Sequence, residues 1–362
     1  MRYTALTFVL SAITLACSGG DDAAAPAAGG SGAGGSGATA GGGATAGGGA
    51  GGSATGGSGN VGGDAFSVEM GPINVAPGEE RTQCVVKRLT NPAGFKVGRI
   101  DNKISSSSHH LIVYRTSDTQ ERTTPFDCQP FVETLDPTKG SPLMITQKYD
   151  DFLQLPPSVG YSFTESQMIR LELHYINTGQ SAVDVTAKST FTGLTAGQFK
   201  EEADFLFIGD VDISIDPKSS ATVGPTFFAL PKEFDGVNFY AITGHTHQYG
   251  TNMTVATAPG AGGPDQMVYD VPGWSWDEPA TVAHDPPFQL PAGGGFRFTC
   301  EYKNTSSKTV GFGESAGAEM CFFWAYYYPS KGARVCFQTD QVAGGISTCC
   351  PGGPYCSFLG QF

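Results

Sequence analysis

The chain has 362 residues, with 21 lysines and arginines against 34 aspartates and glutamates and a formal net charge of −13. Such acidity repels phosphate backbones and excludes nucleic acid as a partner class. No apolar run reaches the roughly 20 residues of a permanent membrane-spanning helix, and the length leaves room for two ordinary domains of roughly 100 to 150 residues beside terminal segments.

Residues 1–17 carry a single charged side chain, Arg2, then the mostly apolar run Leu6 to Leu15, and end in Leu15-Ala16-Cys17. This is the pattern of an export signal, and Leu-Ala-Cys resembles the bacterial lipobox. The resemblance implies cleavage before Cys17 and lipidation of its thiol; losing Arg2 leaves 20 basic residues against 34 acidic ones. The protein is expected outside the cytoplasm, lipid-anchored to an envelope membrane. Where there are two membranes the outer one is favoured, because Ser18 rather than an aspartate follows Cys17. Residues 18–64 are almost all Gly, Ala, Ser and Thr, too poor in apolar area to offset chain entropy. They read as a flexible tether of some 35 to 40 Å.

From Phe66 onward, short runs rich in Val, Ile, Thr, Tyr and Phe alternate with Gly, Pro, Asn and Asp. Strands are predicted at His110–Arg115, Met168–Ile176, Ala182–Phe191, Phe239–His247, Phe296–Tyr302 and Met320–Tyr328. Short strands with regular turn signals indicate an all-β fold of antiparallel sandwiches rather than βαβ units. The connection Thr192 to Ala203 suggests one unit at 65–197 and a second at 198–335, followed by a cysteine-rich tail at 336–362. Eight cysteines follow Cys17, and an even number in an exported chain reads as disulfides. The tail cysteines Cys336, Cys349, Cys350 and Cys356 lack the paired CxxC units of a zinc site, and their pairing stays open.

Five of the six histidines fall in three compact contexts: Ser108-His109-His110-Leu111, Glu172-Leu173-His174-Tyr175 and Gly244-His245-Thr246-His247. On a strand, residues i and i+2 project from one face about 6.5 Å apart, so His245 and His247 can bite one ion; two solvent-facing histidines are the plain alternative. His109 and His110 point to opposite faces of a regular strand and need a strand end or a bulge to converge. His174 shares its face with Arg170 and Glu172, and a solvent-exposed role is expected for Glu172. Met320 precedes the aromatic run Phe322-Phe323-Trp324-Ala325-Tyr326-Tyr327-Tyr328 and would ordinarily be core. Histidines together with a thioether suit Cu(I) better than zinc, calcium or magnesium.

The order of these motifs, His-His before an aliphatic strand, Leu-x-x-His-Tyr, His-Thr-His, then Glu-Met-Cys leading to Tyr-Tyr, resembles the copper type II ascorbate-dependent monooxygenases. That family includes the peptidylglycine α-hydroxylating and dopamine β-monooxygenases, and the resemblance spans Thr82 to Pro329. It implies two tandem antiparallel jelly-roll sandwiches, each with a copper site, facing across an open, solvent-filled cleft. It implies His109, His110 and His174 as ligands of an electron-transfer copper, and His245, His247 and Met320 as ligands of an oxygen-binding copper. It implies the disulfides Cys84–Cys128 and Cys300–Cys321, the latter fixing Met320. The implied activity is hydroxylation of a C–H bond of a small organic or peptide substrate with dioxygen and ascorbate or a similar one-electron donor, by a monomer touching the membrane only through its anchor.

Substrate recognition departs from the peptide-amidating members. Their arginine two residues before His-Thr-His is Thr243 here, the asparagine and tyrosine after Met-Cys are Phe322 and Trp324, and the tyrosine two residues before the first cysteine is Thr82. Carboxylate recognition without those groups loses charge-assisted bonds of roughly 1.5 to 3 kcal/mol each, which argues against peptide amidation. Phe322 and Trp324 could line an apolar pocket or fill the core. A non-catalytic, extracytoplasmic copper-binding lipoprotein is the alternative that keeps every ligand.

Overall fold

The computed structural model describes residues 61–128, 140–313, 315, 317–354 and 356. The export signal, Cys17 and the tether up to residue 60 lie outside them. The described residues form an all-β molecule of 23 strands and one short 3-10 turn.

Two sheets lie in the N-terminal part. A six-stranded sheet runs in the order Val61–Val75, Val183–Leu194, Phe95–Ile104, Val159–Phe163 and Glu201–Glu202, with Asp150–Gln154 also paired to Phe95–Ile104. A five-stranded antiparallel sheet runs Arg122–Asp127, Glu80–Arg88, Met168–Ile176, Ser108–Thr116, Gly140–Thr146. The C-terminal part has a six-stranded sheet in the order Thr281–Phe288, Asn238–His245, Cys321–Tyr328, Asp204–Asp210, Arg334–Thr339, Ile346–Cys350. Beside it lies a four-stranded sheet of Ser220–Ala229, Gly295–Lys303, Gly250–Ala258 and Gln266–Asp270. Two pairings depart from the antiparallel expectation: Glu201–Glu202 with Val159–Phe163, and Asp204–Asp210 with Arg334–Thr339, are parallel.

The burial patterns explain which sheet faces what. Val183–Leu194 alternates buried and exposed residues, the mark of a sheet with one wet face. Cys321–Tyr328 is buried at seven consecutive positions, because its sheet is covered on both faces. Phe322, Trp324 and Tyr326 join a core shared with Leu111, Val113 and Leu171 of the N-terminal part. The alternating residues Cys321, Phe323, Ala325 and Tyr327 pack with Met253, Phe296 and Phe298 of the four-stranded sheet. One strand thus serves two cores, and the described residues lie within one compact unit, 54–362. Phe322 and Trp324 therefore help seal the two parts together through this shared core, and within their own sheet both rings lie against Phe207, with centroids 4.6 and 4.5 Å away. Of the two roles open to them in the sequence, the structure selects core.

Polar groups fasten the same seam. The amide of Ile145 donates to the Tyr326 hydroxyl at 3.2 Å, and the hydroxyls of Tyr161 and Tyr240 lie 3.4 Å apart. Four disulfides are formed: Cys84–Cys128, Cys300–Cys321, Cys336–Cys349 and Cys350–Cys356. The last two resolve the tail pairing, with Cys336 directly opposite Cys349 on neighbouring strands. Residue 335 falls inside the strand Arg334–Thr339 and residue 64 inside Val61–Val75, so both segments expected as tail and tether contribute to sheets.

Candidate metal centre

The strand Ser108–Thr116 pairs with Met168–Ile176 so that Ser108 opposes Tyr175 while His110 opposes His174, leaving His109 as the extra residue of a bulge. The bulge bends the strand and turns both adjacent histidines to one side. The His109 and His110 rings lie 5.2 Å apart, and they stand 5.3 and 5.1 Å from His174. His245 ends the strand Asn238–His245, and His247 follows at i+2 with ring centroids 5.1 Å apart.

The two groups are not separated by a cleft. The His109 ring lies 5.9 Å from His245 and 5.6 Å from His247, and none of the five histidines is more than 4% exposed. The expectation of an open, solvent-filled cleft is corrected: the apolar seam around Phe207, Phe322 and Trp324 holds the two histidine-bearing sheets against each other. Donor atoms of His109, His110 and His174 lie within 4.8 Å of one another, as do those of His109, His245 and His247. His109 thus belongs to both triads.

Burial, then the neighbouring imidazoles, holds His109, His110 and His245 well below the ordinary histidine range; burial lowers His247 to about 4. These imidazoles are neutral near pH 7, as metal ligation requires. Hydrogen bonds fix which nitrogen keeps its lone pair. His247 Nδ1 donates to the Ala318 carbonyl at 3.2 Å, leaving Nε2 as the acceptor. His174 Nε2 faces the Glu80 carboxylate at 2.9 Å, leaving Nδ1. His245 Nδ1 faces Gln147 Oε1 at 2.6 Å. The Nε2 atoms of His109 and His245 are buried and have no hydrogen-bond partner among the described residues. Buried polar atoms are rarely left so, and neutral nitrogens converging in this way fit a metal ion accepting their lone pairs.

The segment carrying Met320 is tied to this cluster. The Glu319 carboxylate accepts the amides of His247 and Tyr249 at 2.8 and 2.6 Å, and the Tyr302 hydroxyl donates to the Met320 carbonyl at 2.7 Å. Burial pushes the Glu319 carboxyl up to about 7, against the amides that lower it. Cys300–Cys321 anchors the adjoining residue. Trp276 closes another side, with its ring 5.2 Å from that of His109. Its neighbour Trp274 fills the space a side chain at Gly244 would need, for a Cβ there would lie 2.8 Å from the indole.

Glu172 corrects the expectation of a solvent-exposed carboxylate. It is fully buried, opposite Cys84, and accepts the Tyr114 hydroxyl at 3.0 Å. Thr243 is buried with its hydroxyl 2.8 Å from that of Thr281, and Thr82 stands opposite His174. Glu80, Gln147 and Trp276 escaped sequence reasoning, since the first two meet their histidines across 94 and 98 residues of chain. Only Glu319 had a signal, its place beside Met320 in Glu-Met-Cys.

A cryo-electron microscopy structure of broad bean stain virus aligns over 76% of this chain and 96% of its own, at 10% identity and a TM-score of 0.27. That likeness is too low to carry an argument about fold or function. No curated protein matches. Residues 212–343, which hold His245, His247 and Met320, match the family model described as the copper type II ascorbate-dependent monooxygenase, C-terminal domain. Over that stretch the chain is similar to the C-terminal domain of the copper type II ascorbate-dependent monooxygenases.

Proposed function

We propose that the protein is a copper-dependent monooxygenase that hydroxylates a C–H bond of a small organic substrate, using dioxygen and two electrons from ascorbate or a similar one-electron donor. The observation that carries this reading is the pair of buried histidine triads beside the Met320 segment, within and next to the stretch that matches a copper-monooxygenase domain. His109, His110 and His174 would hold an electron-transfer copper; His245, His247 and Met320 would hold the oxygen-binding one. Copper, when bound, supplies the one-electron chemistry with dioxygen, in which one oxygen atom enters the product as an alcohol and the other leaves as water after two electrons and two protons are added. The chain's own residues orient and exclude. Glu80, Gln147 and Ala318 set the ring nitrogens, Glu319 locks the Met320 segment to His247, and Trp276 keeps bulk water from His109. The absence of Arg, Asn and Tyr at Thr243, Phe322 and Trp324 directs the substrate class away from carboxylate-terminated peptides.

Anchoring through Cys17 outside the cytoplasm belongs to the same reading, and four disulfides among the described residues support an oxidising compartment. The test is oxygen uptake by the copper-loaded full chain with ascorbate, over a panel of amines, aromatic compounds and peptides. Substrate-dependent uptake with a hydroxylated product, lost in Met320→Ala and in His174→Ala, is expected. Two bound coppers with no coupled turnover on any compound would favour the non-catalytic copper-binding lipoprotein instead.

A further inference from the structure

Gln147 follows the strand Gly140–Thr146, which pairs with Ser108–Thr116, the strand carrying His109 and His110. Its side chain crosses the seam to the other histidine-bearing sheet and there makes two bonds at once. Its Nε2 donates to the Gly244 carbonyl at 3.1 Å, and its Oε1 lies 2.6 Å from His245 Nδ1. Gln147 is 2% exposed and His245 fully buried, so no solvent substitutes for either bond.

The chemistry of the groups leaves one consistent assignment. A carbonyl only accepts, so the amide NH2 must face Gly244 and the amide oxygen must face His245. An amide oxygen also only accepts, so Nδ1 of His245 must carry the proton. Its lone pair is then on Nε2, the atom that is buried without a partner and belongs to the triad with His109 and His247. A flipped amide would set NH2 against Nδ1 and an oxygen against an oxygen at Gly244, leaving the latter pair repelling in a dry site.

We infer that Gln147 is a positioning residue that fixes the tautomer and ring orientation of His245 from the opposite sheet, so that the His245 metal-binding nitrogen is set only when the two sheets are closed together. The ligand part of this inference rests on the copper reading above; the tautomer part does not. A ligand's outer hydrogen-bond partner commonly changes metal affinity 10- to 100-fold, and this one is supplied by the sheet of the other triad.

The test uses the metal-stripped full chain, the histidines labelled with nitrogen-15 and His245 assigned by its absence in His245→Gln. Long-range proton–nitrogen NMR is expected to show His245 protonated on Nδ1 in the natural chain and in Gln147→Glu, whose carboxylate still accepts, but a mixture of tautomers in Gln147→Leu. Chelator-competition titration with Cu(I) is expected to show one of two equivalents weakened about 10- to 100-fold in Gln147→Leu, the other unchanged, and Gln147→Glu recovering affinity relative to leucine. His245 protonated on Nε2 in the natural chain, or a leucine variant with the natural tautomer and both natural affinities, would overturn the inference. Should the leucine variant fail to fold, loss of the Nδ1-protonated form in the glutamate variant overturns it alone. A natural chain that binds no Cu(I) would sink the copper reading, while the tautomer comparison still decides the role of Gln147.

Discussion

His109 holds its position because one extra residue in a strand redirects it; the sequence required a strand end or a bulge at His109-His110, and the structure supplies the bulge. Residue types told which side chains could ligate copper; they did not tell which nitrogen would. That depends on partners remote in sequence, such as Glu80 for His174 and Gln147 for His245. Asp204 shows the same dependence away from the site. It is buried at the seam, accepts the Ser330 hydroxyl at 2.8 Å, and has its carboxyl pushed by burial from 3.8 up to about 6. The folded state therefore binds this proton more tightly than the unfolded chain does, so the contribution is full below about pH 4 and is lost as pH rises through 6. Natural-chain stability minus that of Asp204→Asn is expected to fall by on the order of 3 kcal/mol between pH 4 and pH 7 in urea titrations. A difference that stays flat or rises would show that Asp204 does not titrate in this way.

The strand Cys321–Tyr328 ties sequence, packing and site together. Its aromatic run marked a strand in the sequence, yet the choice between a pocket and a core for Phe322 and Trp324 depends on what covers each face. Trp324 shares a core with Leu111, Val113 and Leu171 of the N-terminal part, while Phe205 and Phe207 flank it within its own sheet. Trp324→Ala is expected to cost about 3 to 5 kcal/mol in a denaturant titration and, by loosening the seam, to expose the histidine cluster. The segment between Gln266–Asp270 and Thr281–Phe288 brings Trp276 onto His109. Trp276→Ala is expected to leave global stability within about 1 kcal/mol, since Trp276 is only partly buried, while His109 becomes reactive toward an imidazole-acylating reagent. Unchanged reactivity would show that Trp276 does not shield it.

Across the whole molecule, two sheets bring their histidines into one dry cluster, and a metal binding there stabilises the closed form alone. Copper at about 100 times its dissociation constant is expected to add roughly 2.7 kcal/mol to the unfolding free energy, removed by a chelator and absent in His109→Ala if His109 serves both triads. Equal stabilisation of that variant would deny His109 its shared position.

Much of this molecule was written locally. Strand periodicity marked an all-β chain, an even cysteine number marked disulfides, and the spacing of His245 and His247 marked a pair on one face, because each of these follows from neighbours along the backbone. Motif order pointed to the copper monooxygenases, and the match of residues 212–343 bears that out. Closure of the site, burial of Glu172, the core role of Phe322 and Trp324, and the clasp of Gln147 on His245 were decided only by tertiary structure. Each depends on which surface packs opposite, and the free energy of that packing belongs to pairs of residues about a hundred positions apart, which no local pattern encodes.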